Sequence, residues 1–252
     1  MPKKKFSTIN LFIRSLLFSI YTIVTMIPYS FICLASFMLP VRYRFEIIRA
    51  YLRVYLFVLK KLCYIDYKIK GLENIPKDTV GIIMSKHQST WETFMLPIIF
   101  RNPAIIIKSE LLWVPFFGWG LAMVDPISIN RNKHSSAMQQ IITKGKKCLD
   151  DGRWILIFPE GTRISVGQVG HYKLGGARLA TATGYPVIPV AHNAGKCWPK
   201  RKFIKQPGTI TMVIGPLIES KNRSPDEVLQ LTKDWIENTI LHIDGFINKS
   251  PG

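Results

Sequence analysis

The sequence predicts an α/β fold: a mixed, largely parallel sheet flanked by helices, with an N-terminal helical module that associates with a membrane. From residue 64 onward, short apolar runs rich in β-branched residues alternate with stretches of helical period, the pattern of a helix-covered sheet. Before that point, a long uncharged segment is followed by a basic amphipathic one. We therefore expect residues 1–62 to form membrane-associated helices and residues 63–252 to form the α/β domain.

Composition excludes several classes of protein. The 252 residues carry 34 Lys and Arg against 16 Asp and Glu, a formal net charge of +18, and 48% of them are hydrophobic. So much apolar material excludes an intrinsically disordered chain. A basic excess combined with positive mean hydropathy favours an anionic membrane surface as partner, and no nucleic-acid-binding motif occurs. The four cysteines form no C-x-x-C pair, so we expect reduced thiols and no metal site.

The N-terminal module begins with an uncharged stretch over residues 15–39. Four cations precede it: Lys3, Lys4, Lys5 and Arg14. A helix of this length reaches across a hydrocarbon core of about 30 Å, and Pro28 should kink it or split it in two. The segment either crosses the bilayer or enters one leaflet and returns, and the cations at both of its ends leave its orientation open.

The next segment has the pattern of a basic amphipathic helix. Its charged residues recur at spacings that place them on one helical face: Arg42, Glu46, Arg49, Arg53 and Lys60. Apolar residues such as Phe45 and Leu52 lie between them. This helix either lies at the lipid–water interface, which the preceding apolar segment favours, or packs on the core of the domain.

Seven strands and four helices are predicted in the α/β part. The strands are Ile65–Ile69, Val80–Met84, Ala104–Ile107, Ile127–Ile129, Trp154–Phe158, Val187–Val190 and Thr209–Ile214. The helices are Thr90–Phe100, His134–Asp150, Leu174–Thr183 and Pro225–Phe246. The last of them follows Ser224 and carries Glu227 at its third position, which together predict a capping box at its start.

The first stretch that predicts chemistry is residues 80–92, in which a buried strand leads through a polar turn into a helix. His87 lies at the carboxyl end of this strand, where α/β sheets place their ligands. Glu92 lies in the first turn of the helix, from which it could hold one ring nitrogen of His87 and make the other more basic. Alternatively, Glu92 completes a capping box and bonds the amide of the N-cap residue Ser89. The sequence leaves both interpretations open.

The second stretch is Phe158-Pro-Glu-Gly-Thr-Arg163, where another apolar strand ends in a turn. Gly161 permits a positive φ and a close approach of the backbone. Arg163 offers a planar fork suited to phosphate, and Glu160 either orients that fork or accepts a hydrogen bond from a substrate hydroxyl. The alternative is a local Glu160–Arg163 pair that only stabilises the turn.

The two stretches, in this order, resemble the signatures of the 1-acyl-sn-glycerol-3-phosphate acyltransferases, also called lysophosphatidic acid acyltransferases. The resemblance covers nearly the whole chain. The matching blocks are His87–Glu92, Lys108 through Arg131, Phe158–Arg163 and Val187–Val190. The chain departs from the family at Glu92, where the family usually has Asp, and its match at residues 127–131 is loose.

The resemblance implies transfer of a fatty acyl chain from a thioester to the sn-2 hydroxyl of 1-acyl-sn-glycerol 3-phosphate, which gives phosphatidic acid. It makes His87 the general base and Glu92 the group that holds it. The residues expected at the substrate phosphate are Lys108, Arg131, Glu160, Gly161 and Arg163. No cofactor is implied, because acyl-CoA or acyl-acyl carrier protein serves as the co-substrate.

Two other functions compete with this one. The same chemistry could act on another lysolipid, such as a lyso-ornithine lipid, although retention of Arg163 favours an acceptor with a phosphate. The second competing function is that of a membrane protein that binds anionic lipid without catalysis, and the His87 turn argues against it. The resemblance also implies an enzyme at the bacterial inner membrane, with its catalytic domain on the cytoplasmic side.

Two further segments carry open alternatives. A late basic stretch is interleaved with aromatic residues and contains Lys196, Lys200, Arg201, Lys202 and Lys205. It contacts lipid headgroups, docks an acidic carrier protein or the phosphates of CoA, or is a solvated loop. Residues 171–176, at a glycine-rich helix start, either help to line the substrate pocket or serve close helix packing.

Overall fold

The computed structural model of the chain describes residues 6–129 and 134–245. The strands are β1 (Ile65–Lys70), β2 (Ile82–Ser85), β3 (Ala104–Lys108), β4 (Ile127–Ile129), β5 (Ile155–Ile157), β6 (Val187–His192) and β7 (Gly208–Ile214). The helices are α1 (Thr8–Ala35), α2 (Val41–Cys63), α3 (Trp91–Ile99), α4 (Phe117–Ala122), α5 (His134–Asp150), α6 (Gly175–Thr183) and α7 (Pro225–Ile243).

The strands form a seven-stranded sheet in the order β1-β7-β6-β2-β5-β3-β4. Neighbouring strands are parallel except for β6 and β7, which are antiparallel. The predicted fold class is therefore confirmed, and all seven predicted strands are present with small shifts at their ends. Helix α4 was not predicted, and the predicted end of the last helix at Phe246 lies outside the described residues.

The centre of the sheet positions the two predicted motifs. Strand β2 lies between β5 and β6, and its residues are buried on both faces, as apolar strands of parallel sheets are. Ile83 pairs with Leu156, and Met84 pairs with Ile157. Because β2 and β5 are parallel neighbours, the turns that follow them meet at the same edge of the sheet.

Helices α1 and α2 form a hairpin that packs on the sheet domain. The short 3-10 turn Ser36–Met38 connects them. Helix α1 is continuous through Pro28, so of the two expected effects of this proline, a kink or a split, the split does not occur. The side chains of Phe18, Tyr55 and Leu59 are almost fully buried in the same core as Trp91 and the strands. The two parts of the chain thus share one core, and α2 packs on the domain as the second interpretation expected.

The opposite face of α1 is apolar and exposed. Its exposed side chains include Ile9, Phe12, Ile13, Leu16, Leu17, Ile20, Ile23 and Val24. Among the described residues, one helical segment, Thr8–Met38, is long and apolar enough to cross a membrane by length and composition. Contacts with the domain nevertheless run along much of this helix. The Lys205 amide donates a hydrogen bond to Ser15 Oγ at 2.9 Å, and the Phe31 ring contacts the Trp119 ring.

Candidate active site

His87 lies in the turn between β2 and α3, with its side chain only partly exposed. Its Nδ1 is 2.9 Å from Glu92 Oε1. Since an ionised carboxylate only accepts, Nδ1 carries the proton and donates it to Glu92. Nε2 is then the unprotonated nitrogen, as a general base requires. The ring stacks on Phe158, with centroids 4.1 Å apart, and this contact orients the imidazole.

The same oxygen of Glu92 also accepts hydrogen bonds from the backbone of the turn. Oε1 accepts hydrogen bonds from the amides of Gln88 at 2.9 Å and Ser89 at 2.7 Å. One buried oxygen therefore holds the ring, as the first interpretation expected, and also bonds the Ser89 amide, but the expected capping box does not form. Ser89 itself is not the N-cap: helix α3 begins at Trp91 and its N-cap residue is Thr90.

A second histidine, His192 at the end of β6, lies behind Glu92. It is fully buried, its Nε2 donates to the Lys86 carbonyl at 2.8 Å, and its Nδ1 accepts from the Ala194 amide at 3.2 Å. Burial lowers the pKa of His192, and Glu92 only partly offsets this effect. Burial acts against ionisation of Glu92, but the imidazoles of His192 and His87 and the Ser89 amide outweigh it. The pKa of the Glu92 carboxyl therefore lies below its ordinary value.

The turn after β5 joins the His87 turn through several hydrogen bonds. Gly161 has a φ of +65°, the left-handed conformation that its lack of a side chain permits. The Ile164 amide donates to the His87 carbonyl at 2.7 Å. Arg163 Nη1 donates to the hydroxyl of Thr90 at 2.9 Å. The structure thus places the guanidinium of Arg163 and the imidazole of His87 in adjoining turns of one site.

Glu160 occupies a different position from the one expected. Its side chain is buried, Oε2 accepts from the His87 amide at 3.0 Å, and Oε1 lies 2.8 Å from Lys86 Nζ. Burial raises the pKa of the Glu160 carboxyl, and Lys86 only partly offsets that effect. Turned inward in this way, Glu160 neither pairs with Arg163 nor contacts a substrate phosphate. The expected phosphate-binding role of Glu160 is therefore wrong, because its carboxylate joins the two turns instead.

A cavity of about 610 Å³ lies between the helical hairpin and the sheet, and His87 is one of its lining residues. Its walls are mostly apolar and include Met26, Tyr55, Phe94, Ile105, Phe116 and Leu121. Gly161 and three cationic side chains also line it: Lys108, Lys173 and Arg178. One continuous space therefore joins an apolar chamber, the imidazole and a group of positive charges.

Three predicted site residues remain, namely Lys108, Gly161 and Arg131. Lys108 ends β3 and is exposed where it lines the cavity, and Gly161 lies beside it in the same lining. Arg131 lies outside the described residues. Within residues 6–129 and 134–245, no group of three or more His, Cys, Asp or Glu side chains is placed to hold a metal ion.

The late basic stretch divides into residues with different surroundings. Lys205 is buried, with its ammonium over the rings of Phe18 and Trp198, and burial lowers its pKa. Lys196 pairs with Asp244 at 2.7 Å. Lys205 thus stabilises the domain from within, whereas Lys196 remains partly exposed in its ion pair.

Four residues in or beside the site were not predicted from the sequence, namely Lys86, His192, Arg178 and Glu237. Lys86 alone carried a local signal, because a lysine directly before His87 at a strand end is unusual in a buried segment.

Of the glycine-rich segment, Gly175 lines the cavity, whereas a Cβ on Gly176 would lie 3.0 Å from Met84 Sδ. Pocket lining and close packing are thus both present there.

Comparisons with known proteins show the family and the fold of this chain. The profile of the family described as Acyltransferase matches residues 66–193. A 1-acyl-sn-glycerol-3-phosphate acyltransferase of Pseudomonas aeruginosa is 42% identical over 239 residues, which are 92% of this chain and 91% of the relative. One from Borreliella burgdorferi is 31% identical and covers 76% of this chain and 75% of its own length. The crystal structure of the 1-acyl-sn-glycerophosphate acyltransferase from Thermotoga maritima has the same fold, with a TM-score of 0.78, 23% identity and coverage of 95% and 97% of the two chains.

Proposed function

We propose a mechanism by which this chain, a member of the acyltransferase family, acylates the sn-2 hydroxyl of 1-acyl-sn-glycerol 3-phosphate to give phosphatidic acid. The observation that carries the proposal is the Glu92-held imidazole of His87 beside the turn that bears Arg163. A base next to an anion-binding group is what acylation of a phosphate-bearing alcohol requires.

His87 acts as the general base. An alcohol is a weak nucleophile at neutral pH, so Nε2 removes the hydroxyl proton as the oxygen attacks the thioester carbonyl. This attack forms the C–O bond of the ester, and collapse of the tetrahedral intermediate re-forms the carbonyl and breaks the C–S bond. The imidazolium returns its proton to the departing thiolate, and Glu92 stabilises the positive charge between the two proton transfers. No acyl-enzyme intermediate is needed.

Arg163 and Lys108 orient the acceptor. Arg163 donates from Nη1 to the Thr90 hydroxyl and offers its remaining donors to the acceptor phosphate. Lys108 lines the cavity on the neighbouring strand β3, from which it supplies a second positive charge. Contacts at the phosphate fix the glycerol so that its free hydroxyl faces Nε2 of His87.

The apolar cavity receives an acyl chain. A chamber of this size with aliphatic and aromatic walls suits a hydrocarbon chain, and His87, beside which the thioester must lie, is one of its lining residues. The donor is acyl-CoA or an acyl-acyl carrier protein, since both present the same thioester. Lys173 and Arg178 also line the cavity, and their positive charges attract the phosphates of such a donor.

The exposed apolar face of α1 places the enzyme on a membrane. That face binds the acyl region of one leaflet while the opposite face packs on the domain. This arrangement presents the cavity to lysolipid in the same leaflet. In a bacterium, the membrane is the inner membrane and the catalytic domain faces the cytoplasm, where soluble thioester donors are available.

Purified full-length protein in mixed micelles tests this proposal. Lysophosphatidate and a lyso-ornithine lipid are offered as acceptors with each thioester donor, and the esterified product is measured. We expect acylation of lysophosphatidate, with a loss of about 100- to 10,000-fold in His87→Ala at unchanged thermal stability. Acylation of the lyso-ornithine lipid alone, or a His87→Ala variant as active as the native chain, would contradict the proposal.

A further inference from the structure

A buried lysine joins three separate parts of the chain directly beside the catalytic turn. Lys86 is fully buried, and its Nζ lies 2.8 Å from Glu160 Oε1 and 2.7 Å from Glu237 Oε1. The same Nζ donates to the Gln168 carbonyl at 3.3 Å. The hydroxyl of Tyr172 donates to Glu237 Oε1 at 2.7 Å. The end of β2, the turn after β5 and helix α7 therefore meet at one ammonium group.

This group is not part of the substrate cavity. None of the side chains of Lys86, Glu160, Tyr172 and Glu237 belongs to the cavity lining that the described residues form. Lys86 therefore does not contact an acceptor phosphate, although it immediately precedes His87. Burial of the Lys86 ammonium and the Glu160 carboxylate is costly, and Glu237 is only partly exposed, so these charges have to be explained by what they hold in place.

The contacts show what the group holds. Glu160 accepts from the His87 amide through Oε2, while Lys86 fixes its other oxygen. This carboxylate thus adds a buried connection between the turn that carries the base and the turn that carries Arg163, beside the hydrogen bonds of Ile164 and Arg163. Glu237 extends this connection into α7, which packs on β6 at the other side of β2.

We propose that Lys86, held by Glu237, is a positioning residue that sets the place of His87 relative to Arg163 during acyl transfer. The inference rests on the proposed function, because it concerns the geometry of that reaction. A displacement of about 1 Å at a base can cost roughly 100-fold in rate even when substrates still bind. Loss of the Lys86 ammonium leaves Glu160 without its buried partner and releases the His87 amide.

Steady-state kinetics of Lys86→Met test the proposal. We expect kcat to fall about 100-fold while the KM values for lysophosphatidate and the thioester change less than threefold, since neither substrate touches Lys86. In the double variant Lys86→Met/Glu160→Gln, the Gln oxygen still accepts from the His87 amide and the fully buried charge of Glu160 is gone, while the partly exposed Glu237 keeps the hydroxyl of Tyr172 as donor. We therefore expect it to recover at least tenfold in kcat over Lys86→Met. Lys146→Met is the matched control, because it breaks an exposed pair with Asp150 on α5.

A milder variant covers the case in which Lys86→Met does not fold. Glu237→Gln keeps an oxygen for Lys86 and Tyr172, and we expect a loss of about tenfold in kcat with unchanged KM. Asp234→Asn removes an exposed carboxylate from the same helix and should be fully active. If the native chain acylates lysophosphatidate and a folded Lys86→Met or Glu237→Gln variant keeps its kcat within threefold, the positioning role is wrong. If the native chain does not acylate lysophosphatidate at all, the proposed function fails and this inference fails with it.

Discussion

Glu92→Gln separates the two tasks of the buried carboxylate. In the native chain, Glu92 Oε1 accepts from the ring of His87 and from the amides of Gln88 and Ser89. A Gln side chain has one oxygen and one NH2 group, and two backbone amides can only be satisfied by the oxygen. The amides therefore hold the Gln oxygen where Oε1 was, so the ring of His87 keeps its orientation while the negative charge is lost.

The expected loss follows from these contacts. A hydrogen bond to a charged group contributes about 1 to 1.5 kcal/mol more than a neutral one, which corresponds to roughly tenfold in rate. Two unit charges about 4 Å apart attract by about 4 kcal/mol at an effective dielectric constant of 20, which sets an upper bound of roughly 1,000-fold. We expect kcat of Glu92→Gln to lie between these limits, with the acceptor KM unchanged.

Glu92→Ala provides the contrast. It leaves two buried amides and the ring of His87 without an acceptor, at about 1 to 3 kcal/mol for each donor. The combined cost approaches the whole stability of a typical domain, about 5 to 15 kcal/mol. We therefore expect Glu92→Ala to unfold at a much lower temperature than Glu92→Gln.

The assay is steady-state acylation of lysophosphatidate by both variants, together with thermal unfolding followed by circular dichroism. A loss greater than about 10,000-fold in Glu92→Gln would mean that the ring has turned, and the reasoning about the two amides would be refuted. A loss smaller than threefold would show that the charge of Glu92 does not stabilise the imidazolium.

Two further predictions concern neighbouring groups. Arg163→Ala should raise the KM for lysophosphatidate far more than Arg163→Lys, because a lysine keeps the charge without the planar fork; equal losses in the two variants would argue against bidentate binding. The pKa of His192 is lowered in the folded chain. Just below the ordinary histidine pKa of 6.5, His192 is therefore protonated in the unfolded chain but neutral in the folded chain. The free energy of unfolding should therefore fall by up to about 1.4 kcal/mol per pH unit as the pH drops from about 6.5 to 5, and His192→Gln should remove this slope. Denaturant titrations across that range decide the point, since parallel curves for the two proteins would contradict it.

Much of the fold follows from local patterns in the sequence. Short β-branched runs such as Ile82–Ser85 can be recognised because both faces of a central strand are apolar. Helix α4 could not be recognised in this way. Its segment, which includes Trp113 and Phe117, is apolar throughout and lacks a helical period, so nothing in it distinguished a short helix from a loop.

Contacts in the site between residues close in the sequence could be predicted, whereas contacts between residues far apart in the sequence could not. The spacing of His87 and Glu92 implied their contact, because both lie in one turn and the first residues of a helix. The pairing of Lys86 with Glu237 joins residues far apart in the chain, so no spacing could indicate it. Glu160 was assigned to the wrong partner because a sequence does not say toward which side of a turn a side chain points.

The shared core of the α1–α2 hairpin limits how this enzyme can be made soluble. A shortened version that starts at β1 would remove Phe18, Tyr55 and Leu59 from the interior and leave Trp91 and its neighbours facing water. Such a fragment would aggregate rather than behave as a soluble catalytic domain. Replacing outward-facing side chains of α1, such as Ile9 and Val24, with polar ones would instead keep the interior intact while weakening the attraction to lipid.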